Sequence, residues 1–145
     1  MENTIRVLIA DEDKEFCAML RETFCIDERM EIIGTYGDGN GLAQRILQDA
    51  PDVVLMDLVL PGVDGLTVLH ELSEAEPAKM PVIFVVSSFA SQETTEECNA
   101  LGVSFYLRKP VDLQALAQRV CRYGGQRNYM RSAAVRIPNE ELEIE

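Results

Sequence analysis

Five short runs of apolar residues alternate strictly with five stretches of helical spacing, and few folds accept such a pattern. IRVLIA (5–10), MEIIGTY (30–36), VVLMD (53–57), PVIFVVS (81–87) and VSFYLRK (103–109) read as strands. FCAMLRETF (16–24), GLAQRILQDA (41–50), GLTVLHELSEA (65–75), SQETTEECNALG (91–102) and VDLQALAQRVCRY (111–123) read as helices. The first places Phe16, Met19, Leu20 and Phe24 on one face, and the fourth stops on a glycine, Gly102. The strands are continuous Val, Ile and Leu without polar alternation, as a parallel sheet covered on both faces requires. The expected architecture is an open, doubly wound α/β domain.

Composition narrows the class further. The chain has 145 residues, 47% of them hydrophobic and 26% charged, which suits one globular domain with a genuine core. No apolar run reaches membrane-spanning length, and the start, MENTIRVLIADED, lacks a basic leader with a cleavage site, so a cytoplasmic chain without membrane contact is expected. Cys17, Cys25, Cys98 and Cys121 form no C-x-x-C pair, and His70 is the one histidine, so mostly buried, reduced thiols are expected in place of a zinc site or disulfides. A net charge of −12 argues against nucleic-acid binding by this chain, because such affinity comes largely from Lys and Arg on phosphates. From Gly124 the pattern changes: GGQRNYMRSAAVRIPNEELEIE (124–145) reads as a tail or linker, with a disordered terminus, an extended last helix or a docking segment as its alternatives.

In a parallel sheet the C-terminal strand ends gather along one edge, where ligands bind. The residues delivered there are Asp11, Glu12 and Asp13 after the first strand, Asp57 after the third, Ser87 and Ser88 after the fourth, and Lys109-Pro110 after the fifth. Clustered carboxylates repel one another unless a hard cation sits among them, and oxygen ligands favour Mg²⁺ or Mn²⁺. A lysine and a hydroxyl opposite such an ion would cradle a tetrahedral oxyanion, with Asp57 as a nucleophile toward phosphorus.

The acidic pair, D-x-x-x-P-x-x-D-G over residues 57–65, Ser87 and Lys109-Pro110 occur in order. This set resembles the receiver domain of two-component response regulators over about residues 4–122. The resemblance implies a flavodoxin-like (βα)5 sheet of five parallel strands in the order 2-1-3-4-5, with the receiver over residues 1–123. It implies Asp57 as phosphoacceptor, with Asp11, Glu12, Asp57 and the backbone carbonyl of Val59 around Mg²⁺. Ser87 and Lys109 would contact phosphoryl oxygens, Tyr106 would be the aromatic that turns inward on activation, and Lys109-Pro110 would be cis. The implied partner is a histidine kinase or histidine phosphotransferase, with a homodimer on phosphorylation and a DNA-binding output domain beyond residues 124–145. Within the family, RVLIADED, MEIIGTYGDGNGL, SSFASQE and SFYLRKPVDLQAL are most similar to receivers of sporulation regulators. Two positions depart from the commoner pattern: Glu12 stands where Asp is usual, and Leu60 where Met is usual.

Blander roles compete at several positions. Asp13 is best read as a helix N-cap, Asp64 as the cap or turn residue of the third helix, Ser88 as a bystander to Ser87, and His70 as a packed or solvent-facing side chain. Asp57 as a plain ion pair with Lys109 would leave Asp11 and Glu12 without a role. An aspartyl-phosphate phosphohydrolase of haloacid-dehalogenase type would want an acid two residues after its nucleophile, where this chain has Val59. A degenerate receiver used only for protein contact is the third alternative, and Glu12 is its main support.

Overall fold

The computed structural model of the chain describes residues 4–89 and 91–133, with side chains as far as Asn128. The elements alternate as β1 (Ile5–Ala10), α1 (Lys14–Phe24), β2 (Met30–Tyr36), α2 (Leu42–Asp49), β3 (Val53–Met56), α3 (Gly65–Ala75), β4 (Val82–Ser87), α4 (Gln92–Ala100), β5 (Phe105–Arg108) and α5 (Leu113–Ala133). All strand pairings are parallel, and the sheet order is β2-β1-β3-β4-β5. This is the expected flavodoxin-like sheet, whose order reverses between β1 and β3.

Strand pleating sends successive side chains to opposite faces, and each face meets its own set of helices. Leu8, Ala10, Val54, Met56, Ile83 and Val85 pack with Leu42 and Ile46 of α2, Val68 and Leu72 of α3 and Cys98 of α4. Val7, Ile9, Val53, Leu55, Phe84 and Val86 pack with Leu20 and Phe24 of α1 and with Leu116 and Val120 of α5. The Phe84 and Phe105 rings stack on this second face with centroids 4.7 Å apart. Both faces of the central strands are therefore dry, which is why their sequences show no polar alternation.

Two expectations change, on α1 and α5, while the cysteines are mostly buried and reduced as expected. On α1 the buried residues are Cys17, Leu20 and Phe24, while Met19 is exposed and Phe16 only half-buried. The apolar face is rotated toward Cys17, a small hydrophobe that passes as polar in a pattern of bulky side chains. Cys25 is exposed, whereas Cys17, Cys98 and Cys121 are buried, and all four thiols are free. The larger change is α5, which does not stop at residue 123: it continues through Gly124 and Gly125 to Ala133. Two glycines usually end a helix, but here Gly124 passes so close to the sheet that a Cβ would meet Ile5 Cγ2 and Val53 Cγ2 at 2.7 Å. Tail residues 134–145 lie outside the described residues.

Candidate functional site

Backbone hydrogen bonds beyond the strand ends draw the loops of one sheet edge together. Asp11 N–H donates to Tyr36 O, Asp57 N–H to Ala10 O and Lys109 N–H to Ser87 O, so each chemistry-bearing residue sits one step past its strand or on its last position. The chain after Asp57 is held equally closely. Gly65 N–H donates to Leu58 O, and a Cβ on Gly65 would come within 2.7 Å of Leu58 Cα, so only glycine lets α3 start against this loop. Asp64 caps α3 by accepting from Thr67 N–H, and Asp13 caps α1 by accepting from the N–H groups of Glu15 and Phe16. Both act as N-caps, as their positions in the sequence suggest.

The side chains converge on Asp57, which is 9% exposed. Its Oδ1 accepts from Ser87 Oγ at 2.8 Å and from the Val59 N–H at 3.0 Å, and its Oδ2 accepts from Lys109 Nζ at 3.1 Å. The same ammonium donates to Asp11 Oδ2 at 2.9 Å, while Asp11 Oδ1 accepts the Asp13 N–H. Two nearly buried carboxylates thus share one ammonium, so the cluster has an excess of negative charge. Burial disfavours the Lys109 ammonium, but hydrogen bonds and charge from Asp11 and Asp57 outweigh it, raising its pKa above the ordinary 10.5. The Lys109-Pro110 peptide is cis, as expected, and Ser88 is exposed, leaving Ser87 as the hydroxyl at the site.

The neighbouring ring of Tyr106 is buried, and its hydroxyl donates to the Phe89 carbonyl. Burial, with smaller effects from Cys98 and Asp57, pushes this phenol's pKa up. His70 lies away from the site on α3, half-exposed and paired with Glu97 of α4.

Glu12 is exposed and takes no part in the hydrogen bonds that join Asp11, Asp57, Ser87 and Lys109, and among the described residues no three acids, histidines or cysteines gather as a metal-holding group. Mg²⁺ typically uses only one or two protein carboxylates and keeps waters, so the Asp11–Asp57 pair and its surplus negative charge still suit a hard divalent ion. The contacts of Phe16 and of the Val59 amide were not legible beforehand. Lys109 Nζ lies 4.5 Å from the Phe16 ring centroid, a cation–π contact that steers the lysine toward its carboxylates. An aromatic four residues after the acidic pair is the only trace of this in the sequence.

Residues 7–121 match the sequence model of the response regulator receiver domain. Among solved structures, the chain is similar to the receiver domain of AraT from Geobacillus stearothermophilus, at 27% identity and TM-score 0.74 over 88% of this chain and 98% of that one. It is similar to a CheY-like receiver domain from Methanospirillum hungatei, at 22% identity and TM-score 0.75 over 87% of this chain and 98% of that one. It also resembles a chain of the CheX–CheY–BeF3–Mg²⁺ complex from Borrelia burgdorferi, at 25% identity and TM-score 0.71 over 81% of this chain and 87% of that one. With the family match spanning most of the sequence and the fold agreeing in strand order, the chain belongs to the receiver domains of two-component response regulators.

Proposed function

We propose that this receiver accepts a phosphoryl group on Asp57 from the phosphohistidine of a histidine kinase or phosphotransfer protein. The observation that carries this reading is the convergence on Asp57 of Ser87 and of a lysine shared with Asp11. An Asp57 carboxylate oxygen attacks phosphorus, a P–O bond forms, and the P–N bond breaks with its electron pair returning to the imidazole. Ser87 and Lys109 are placed to turn from the carboxylate to the phosphoryl oxygens, where charge-assisted bonds are strong. Asp11, Glu12, Asp57 and the Val59 carbonyl would hold Mg²⁺ or Mn²⁺, which supplies neutralising charge for the phosphoryl oxygens. The Borrelia complex contains Mg²⁺ and BeF3, a tetrahedral stand-in for a phosphoryl group, and so supports the same pairing here.

The chain acts as a switch, not as an enzyme with an external product: it catalyses its own phosphorylation and dephosphorylation. Val59 cannot serve as the leaving-group acid that a phosphohydrolase of this chemistry needs. The added charge biases a two-state equilibrium along β4, β5 and α5, with Tyr106 as its reporter and a homodimer or a released output domain as its consequence. The cell compartment in this reading is the cytoplasm. The stretches quoted above support a finer reading as a relative of stage-zero sporulation protein A, with transcription at sporulation onset as the output. A helix-turn-helix coding sequence after Glu145 would support that finer reading.

Acetyl phosphate with Mg²⁺ is expected to add one phosphoryl group by intact mass, and Asp57→Asn to abolish it. Equal labelling of the variant overturns the assignment.

A further inference from the structure

The end of the sheet opposite Asp57 holds a second buried polar cluster, for which phosphoryl chemistry has no use. Asp52, just before β3, is 0% exposed. Its Oδ1 accepts from Arg127 Nη1 at 2.9 Å, and its Oδ2 accepts from the Arg6 N–H at 2.9 Å and from Asn128 Nδ2 at 3.3 Å. Arg127 Nε also donates to Met80 O at 3.0 Å, and Asn128 Nδ2 to Thr4 O at 3.1 Å. Arg127 and Asn128 are each 4% exposed. Two side chains of α5 thus bond to the beginnings of β1, β3 and β4 together. Gly124 makes the approach possible, since any side chain there would strike Ile5 and Val53.

We infer that residues 124–128 are a strap locking α5 to this pole, so that the chain leaves the receiver as a rigid helical arm in a fixed direction. A flexible hinge at Gly124-Gly125, the natural reading of two adjacent glycines, is replaced by a helix held through a buried ion pair. Buried charges without their partners are costly, so the arm cannot lift from the sheet without exposing or stranding Asp52. The helix as far as Ala133 is then oriented by the receiver, and a displacement of α5 is carried to Ala133 as the motion of one lever. This inference does not depend on the phosphoryl reading.

Hydrogen exchange of the full chain, read by mass spectrometry, tests it. The amides of 124–128 are expected to be protected together with those of 113–123. Arg127→Met is expected to lower protection of 124–128 by at least about tenfold. The double variant Asp52→Asn/Arg127→Gln, which removes both charges but keeps hydrogen-bonding groups, is expected to restore most of it. Should Arg127→Met not fold, Asn128→Ala and the double variant are compared with the wild type in the same way, and lost protection in Asn128→Ala supports the strap. Labelling of Asp57 by acetyl phosphate stays at the wild-type level in every folded variant; its absence from all of them, wild type included, would sink the phosphoryl reading and leave the strap standing. Wild-type amides at 124–128 exchanging like unstructured chain would overturn the strap.

Discussion

Lys109 is held between two carboxylates and over an aromatic ring, and each contact makes a separate prediction. Its folded pKa is raised, so the stability it contributes is full below the ordinary lysine value of 10.5 and is lost as pH rises through the higher folded value. Urea titrations at pH 7 and at pH 11 should show a smaller gap between wild type and Lys109→Met at the higher pH. A gap that does not shrink would contradict the pairing. Ser87 supplies one of the three donors on Asp57, and Ser87→Ala should slow labelling by acetyl phosphate by roughly a hundredfold, read as an initial rate. Asp11, Asp57, Ser87 and Lys109 were legible because each ends or follows a strand, and parallel strands can deliver their ends only to one edge. The exposure of Glu12, the ring of Phe16 beneath the lysine and the Val59 amide on Asp57 depend on loop and helix placement, which spacing does not encode.

At the scale of elements, local signals worked wherever the local chain decides. Asp13 and Asp64 cap the helices they precede, and Gly102, at φ +98°, follows α4 as its terminating glycine. Asp64→Ala should cost about 1 kcal/mol by chemical denaturation, the usual value of a lost N-cap bond. Gly65→Ala should cost more than that, because the added methyl meets the Leu58 backbone and not a side chain that can swing away. A Gly65→Ala variant as stable as the wild type would show that α3 can shift at its start. The signals failed where tertiary contact overrules propensity. Gly124-Gly125 carries a helical cost of about 1 kcal/mol per glycine relative to alanine, yet the helix continues: the sheet accepts no side chain at Gly124, while a Cβ on Gly125 would make an ordinary contact with Ile5 Cδ1 at 3.7 Å.

For the whole molecule, the boundary of the folded unit lies beyond the family match, which ends at residue 121. A chain cut after Tyr123 keeps every strand and every residue near Asp57 but loses Arg127 and Asn128, leaving the buried Asp52 without its guanidinium. Removing the partner of a buried charge costs roughly 3–5 kcal/mol, so the truncated chain should melt about 10 °C lower than the full one by calorimetry. Equal melting temperatures would mean that the strap adds nothing to the fold. The alternation of apolar strands and amphipathic helices by itself determined the parallel sheet, its two covered faces and the edge at which Asp57 would meet the other strand ends. Those consequences follow from hydrophobic burial and from the single direction of parallel strands, both of which are written residue by residue. Tertiary structure alone decided that two glycines would prolong a helix, that Arg127 would find Asp52 seventy-five positions earlier, and that Glu12 would face solvent. Each of these rests on close packing between segments distant in the chain, and no local pattern carries that distance.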